Sequence, residues 1–429
     1  MYPKPWQATK VTIAISTLIF TLTINVSAAT EQVLHSFDLN DGGEVYSGLI
    51  FDGLGNLYGT TLEGGASGQG RGTVFKLSPA SDGSWTETVL YSFTGGQDGR
   101  NPAANVTFDA QGALYGTTEF GGVNDSGTVF KLTPGSGGMW TEAILHSFAG
   151  GTDGANPVAG VVFDSVGNLY GTTPQGGNPF GLGTVFKLKL TAGGQWKEII
   201  IHRFKGGSDG STPEAGVIFD AAGNLYGTTA FGGFSECGGS GCGTVFRLKP
   251  TGTEKWTGQL IHRFKGGIGG GVPLGSLIFD KTGDLYGTTE AGGGSGCGGS
   301  GCGTVFKLSP LSGDLWAARL IYRFDGGRHG GRPFAGVVLD AGNNLYGTTL
   351  TGGTSGCGSM GCGTVFELQL SSGGKWRETV LHSFRPGQAG DKDGSGPEAA
   401  PILDSAGNVY GTTVSGGSSH FGTVFEITP

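Results

Sequence analysis

The chain has 429 residues, 90 of them glycine, with 14% charged and 10% aromatic residues and a formal net charge of −8. Glycine at that level without a triplet period excludes collagen, and the aromatic content excludes a disordered linker. The acidic balance argues against nucleic acid and anionic membrane surfaces, and neither is an expected partner.

In chain order, the first element is a leader. Lys4 and Lys10 precede the apolar run "VTIAISTLIFTLTINV" (11–26), and small residues follow around Ala28. A basic start, a short apolar stretch and a small-residue cleavage site predict a secretory signal peptide over residues 1–28. The run of 16 residues falls short of the roughly 20 that span a bilayer, which disfavours an uncleaved anchor. Without the leader, 24 basic residues face 34 acidic ones and no second apolar segment is long enough to span a membrane. The expected location is the periplasm or the outside of the cell.

The mature chain opens with "VLHSF" (33–37), and seven tandem units follow. Each begins with an apolar run ending in Asp, such as "GVIFD" (216–220). The tetrad Tyr-Gly-Thr-Thr comes next, at Tyr58, Tyr115, Tyr170, Tyr226, Tyr286, Tyr346 and Tyr410. A Gly-Thr-Val-Phe run starts at Gly72, Gly127, Gly183, Gly243, Gly303, Gly363 and Gly422, and six units add a run such as "WTETVLYSF" (85–93). Apolar runs this short, with no helical period, predict strands. Trp85 and Phe93 lie eight residues apart, as do the other five Trp–Phe pairs, and an even spacing places both rings on one face of a strand. Between the first two runs, "DAAGN" (220–224) predicts a tight turn, with Asp and Asn bonding local backbone and Gly taking positive φ.

Four-stranded antiparallel units cannot bury both faces alone, whereas units stacked around an axis can. The sequence therefore predicts an all-β fold, a seven-bladed β-propeller over residues 29–429. Small pairs such as Ser47-Gly48, Ala215-Gly216 and Gly275-Ser276 mark the innermost strand, and the tryptophan run is outermost. The last unit ends at "GTVFEITP" (422–429), so the strand at 33–37 is expected to complete the seventh blade. A parallel β-helix would need a nine-residue period that is absent.

The pattern "GNLYGTT…GG…GTVFKL…GGxW…VLHSF" resembles the GloVer-type tandem repeat of exported bacterial proteins over essentially all of the mature chain. Its "FDxxGNLY" part is similar, more weakly, to the blades of NHL and related propellers. The resemblance implies an exported repeat protein with no catalytic residues to carry over. It also implies a C-terminal sorting or anchoring segment, which is not seen before Pro429.

Cys237 and Cys242, Cys297 and Cys302, and Cys357 and Cys362 fall between the second and third strands of units four to six. These loops run 17 residues from Tyr to Gly, against 12–14 in the copies without cysteine. In an oxidising compartment such pairs predict disulfides, within a loop or between neighbouring blades. Zinc knuckles need a two-residue spacing and a second ligand pair, which are missing. No Gly-Lys-Ser/Thr follows the glycine runs, so no phosphate cradle is expected. Neither a cofactor nor a metal is expected.

His35, His146, His202, His262 and His382 recur at one position of the outer strand, with Tyr91 and Tyr322 in the other two units. Spread around the rim, they are read as structural, and no Gly-x-Ser-x-Gly elbow accompanies them. His420 lies in a loop. The loops leaving the outer strand carry Asp-Gly pairs at Asp41, Asp98, Asp153, Asp209 and Asp393, with Gly269 and His329 at the corresponding places. Strand parity brings these loops to the same face as the long glycine loops. One reading is turn chemistry. The other is a mouth that binds a cation, a glycan or an extracellular protein through Asp98, Asp153, Asp209, Asp393, His329 and Arg332, near Arg100 and Arg328. Glu119 and Glu290 keep a glycoside hydrolase or lyase as an alternative, although no acid pair stands out. A purely structural envelope protein is a further alternative. The expectation is a monomeric binding or scaffold module rather than an enzyme.

Overall fold

The computed structural model describes residues 29–66, 70–233, 237, 239–252, 254–353, 357, 360–385 and 392–429. The leader assigned to residues 1–28 lies outside the described residues. Among the described residues, no helix is long and apolar enough to cross a membrane.

The chain folds into a seven-bladed β-propeller. In blade 1, Ile50–Phe51, Leu57–Thr61, Thr73–Pro79 and Trp85–Ser92 pair antiparallel in sequence order, and blades 2 to 6 repeat this arrangement. Blade 7 joins Ile402–Leu403, Val409–Thr413 and Thr423–Thr428 to the N-terminal Thr30–Ser36. Thr30 lies opposite Thr428 and Ser36 opposite Thr423. The first strand thus closes the last blade, as the complementary ends predict.

The repeated residues have separable tasks. The Asp52 carboxylate accepts from the backbone N–H groups of Leu54 and Asn56, both at 2.9 Å, and from the Tyr58 hydroxyl at 3.0 Å. This fixes the turn between inner and second strands. Within the tetrad, Tyr58 packs edge-on against Phe108 of the next blade, ring centroids 5.0 Å apart. Gly59 faces the ring of Phe75, and a methyl group there would sit 2.7 Å from its Cζ, so a side chain is excluded. The Thr60 hydroxyl donates to the carbonyls of Pro102 and Ala104 in the next blade, at 2.9 and 3.0 Å. Thr61 and Thr73 share a hydrogen bond of 2.9 Å between their hydroxyls. Thr412 repeats the inter-blade bond to the Ser47 carbonyl at 2.7 Å, which joins the two ends of the chain.

The core lies between blades rather than within them. The outer-strand Phe of each blade meets the Gly-Thr-Val-Phe ring of the next, from Phe37–Phe75 at 5.1 Å round to Phe384–Phe425 at 5.2 Å. These four rings are fully buried, each worth about 1.5–3 kcal/mol in transferred surface.

One expectation is corrected. Every outer strand carries a β-bulge against its third strand, in blade 1 between the positions opposite Val74 and Phe75. The extra residue reverses side-chain parity. Trp85 therefore packs on Tyr410 of the preceding blade, while Phe93 meets Phe130 of the following one. The two rings stand on opposite faces of the strand.

Candidate functional site

Small residues let the inner strands approach closely at the axis. The Gly48 N–H donates to Asn105 Oδ1 at 2.8 Å, and a methyl group on Gly275 would lie 2.2 Å from the backbone nitrogen of Gly336. A cavity of about 990 Å³ opens there, lined by residues from all seven blades.

Each chain segment enters its inner strand through a left-handed residue. These are Glu44, Asn101, Asn156, Thr212, Val272, Arg332 and Gly396, with φ between 55° and 65°. For β-branched Thr212 and Val272 this conformation costs roughly 1–3 kcal/mol each. It persists because both backbone groups are engaged. The Val272 N–H donates to the Cys242 carbonyl of the preceding blade at 2.8 Å, and its own carbonyl accepts from the Glu290 N–H at 3.0 Å. Two residues further on come Tyr46, Ala103, Val158, Glu214, Leu274, Phe334 and Glu398, all of which line the cavity. Glu119, just after its Thr-Thr pair, lines it as well.

The cavity is acidic. Burial, reinforced by Glu290 and Glu119, pushes the Glu214 carboxyl up. Glu398 is pushed up to about 7 by burial, with Arg332 opposing and Glu290 and Glu44 adding to the rise. Burial and the charges of Glu398, Glu44 and Glu63 raise the Tyr46 phenol to about 12. Burial also raises Glu119, against the pull of Arg100. Arg332 Nε donates to Glu290 Oε1 at 2.9 Å. The mouth therefore presents the Glu398 carboxyl, able to hold a proton near neutrality, beside further carboxyls raised by burial, one phenol and one aromatic ring.

The rim aspartates lie elsewhere. Asp98, Asp153, Asp209 and Asp393 each accept from a backbone N–H at the start of their own loop, those of Thr94, Ala149, Lys205 and Arg385, at 2.7–2.9 Å. Each also bonds the outer-strand side chain of its own blade, respectively Tyr91, His146, His202 and His382, at 3.2 Å. Asp41 does the same with His35 at 2.8 Å. The aspartates are not gathered with one another and do not line the cavity. His329 instead meets Glu378 of the next blade at 2.6 Å. None of the six residues read as a binding mouth lines the cavity, and Arg332 acts on it only through its charge on Glu398.

Opposite these pairs stand acids on the tryptophan strands, two residues after the tryptophan: Glu87, Glu142, Glu198 and Glu378. Burial, then a facing aspartate, pushes Glu87 and Glu142 up to about 7. Glu198 is pushed up by burial and Asp153. Burial works against ionisation of Asp153, but hydrogen bonds from His146, Glu198 and the Ala149 N–H hold it well below the usual range.

The cysteines pair within loops: Cys237–Cys242, Cys297–Cys302 and Cys357–Cys362, with Cα–Cα separations of 5.4, 5.2 and 5.1 Å. Cys242, Cys302 and Cys362 are buried, and each carbonyl accepts the N–H of the next blade's left-handed residue. A methyl group on Gly266 would lie 2.6 Å from Cys237 Sγ, and one on Gly326 2.7 Å from Cys297 Sγ. Each of these two disulfides thus braces the loop leaving its own outer strand.

Reading the sequence missed Tyr46, Glu214, Phe334 and Glu398. A signal was available, since this is a changeable position inside an otherwise monotonous repeat, directly before the small-residue pair. The family model described as the Gloeobacter/Verrucomicrobia repeat matches residues 12–239, 141–360 and 295–429. No curated protein matches the chain.

Proposed function

The chain belongs to the Gloeobacter/Verrucomicrobia repeat family, and we propose that it is an exported binding module that takes its ligand in the mouth of the central cavity, on the face of the long loops. One observation carries this reading. The cavity-lining position two residues after the left-handed one holds Tyr, Ala, Val, Glu, Leu, Phe and Glu in the seven blades, while its surroundings repeat. Packing alone asks for one kind of residue at equivalent places, whereas recognition of an asymmetric ligand asks for different ones. Aromatic Tyr46 and Phe334 beside the carboxyls of Glu214 and Glu398 suit a glycan, whose faces stack on rings and whose hydroxyls bond carboxyl groups. The Arg332 charge acts on Glu398 within the cavity. Asp98, Asp153, Asp209 and Asp393 support the loops that frame it, and His329 ties one of those loops to the next blade. Three disulfides and the leader sequence support export.

The test is a glycan array probed with the purified mature protein and with a Glu214→Gln/Glu398→Gln variant. Wild type should bind a subset of glycans, and the variant should lose about tenfold in affinity, a difference of about 1.4 kcal/mol, at an unchanged melting temperature. No binding by wild type, or equal binding by the variant, refutes the reading. A second reading is a glycoside hydrolase in the same cavity, favoured by Glu398, whose carboxyl sits at about 7, suited to a general acid. Chromatography of the bound glycans distinguishes the two, because only the enzyme shortens them.

A further inference from the structure

We propose that the joint between blades 2 and 3 is a zinc-class cation site built from His146 and Asp153 of blade 2 and Glu198 of blade 3. One ligand atom from each lies within 4.8 Å of the other two. His146 Nε2 is 3.2 Å from Asp153 Oδ2 and 3.8 Å from Glu198 Oε1. Ligands bound tetrahedrally at about 2.0–2.2 Å from zinc stand roughly 3.3–3.6 Å apart, so an ion fits with small side-chain adjustments and a water in the fourth position.

Two features of these residues suit them to hold an ion. The Glu198 side chain is only 9% exposed, yet its Oε1, aimed at His146, has no hydrogen-bond partner. A buried carboxylate oxygen is normally satisfied, and a cation satisfies it here. Asp153 is also oriented in advance, since the Ala149 N–H donates to its Oδ2 at 2.7 Å, the outer-shell support that metal-binding carboxylates use. His146 and Asp153 remain 20% and 25% exposed, which leaves a way in from solvent. One imidazole nitrogen with two carboxylates favours a borderline ion over calcium or magnesium, which prefer all-oxygen sets.

The seven-fold repeat supplies its own comparisons. Glu31, His382 and Asp393 form the same constellation between blades 6 and 7. Glu31 belongs to the closing N-terminal strand, so an ion there ties that strand to its neighbour. Between blades 3 and 4 the glutamate is replaced by Gly258, and between blades 4 and 5 both acids are gone, with Gly269 and Ala318 in their places.

The test is native mass spectrometry of the mature protein, stripped with a chelator and titrated with zinc alone. Two ions per chain are expected, one for each constellation. One should remain in Glu198→Gln or Glu31→Gln, none in the double variant, and both in Asp209→Asn. Zinc should also raise the melting temperature of wild type and not that of the double variant. No retained zinc, or a stoichiometry unmoved by Glu198→Gln, overturns the site. If a variant fails to fold, X-ray absorption on zinc-loaded wild type decides: one imidazole with oxygen neighbours supports the assignment, and sulfur or all-oxygen coordination refutes it.

Discussion

Blades 3 and 4 build the same loop after their outer strands with different chemistry. In blade 3 the Gly206 N–H bonds the Gly210 carbonyl at 3.0 Å, and in blade 4 the Gly266 N–H bonds the Gly270 carbonyl at 3.0 Å. Blade 3 pins this loop with Asp209, which takes the Lys205 N–H at 2.9 Å and His202 at 3.2 Å. Blade 4 has Gly269 in that place and sets the Cys237–Cys242 disulfide under Gly266 instead. Blade 5 follows blade 4, with Cys297–Cys302 beneath Gly326. Blade 6 holds the loop aspartate Asp393 and also a disulfide, Cys357–Cys362. Across blades 3 to 5 the loop keeps the same backbone bond while its anchor is exchanged. The two anchors differ in what releases them: reductant for one, loss of the carboxylate for the other.

The largest expected effect comes from breaking the disulfide class. Replacing all three cysteine pairs by serine should cost about 2 kcal/mol per bridge on the chain-entropy account. Hydrogen exchange should quicken over residues 265–271 and 325–331 and stay slow over 95–99 and 150–154. Equal quickening in all loops would erase the distinction between the two anchors. The converse change, Asp209→Ala, should cost about 1–2 kcal/mol, since hydrogen bonds to a charged group are lost from a site still open to water. Its exchange signature should be confined to residues 205–210, with 265–271 untouched.

The smallest effect is the most discriminating. Gly269 has negative φ and nothing within 4 Å of the place a Cβ would take, so Gly269→Asp should install the carboxylate anchor in blade 4. His262, which would meet it, has its pKa lowered by burial and Lys265. A lowered imidazole pKa means that the unfolded chain binds the proton more readily, so stability is lost as pH falls from above 6.5 towards the folded value. The new aspartate should raise that pKa and flatten this loss, adding about 0.5–1 kcal/mol at pH 6. Melting curves at pH 6 and pH 8 check it, and a variant with an unchanged pH slope would show that the anchors are not interchangeable.

Much of the fold was legible because the repeat is dense with local signals. Asp-x-x-Gly-Asn announced a turn that Asp52 and Asn56 do build, and the unmatched ends announced closure by Thr30–Ser36. What the pattern concealed was the bulge. It inserts one residue without any mark in the sequence, and it sends Trp85 and Phe93 to different blades. The candidate site was less legible. The rim aspartates drew notice because Asp-Gly repeats, and they turn to the histidine or tyrosine of their own blade. The cavity residues Tyr46, Glu214, Phe334 and Glu398 belong to a position that changes from blade to blade and so showed no motif.

Strand identity, blade number and ring closure follow from the sequence alone, because they depend on spacings inside one repeat and on the match between the chain's two ends. Only the tertiary structure decided which side chains of separate repeats meet. His146 and Glu198 lie 52 positions apart, and Thr412 reaches the carbonyl of Ser47 across almost the whole chain. Such contacts are set by how one sheet twists and shifts against the next, and no periodicity along the chain encodes that displacement.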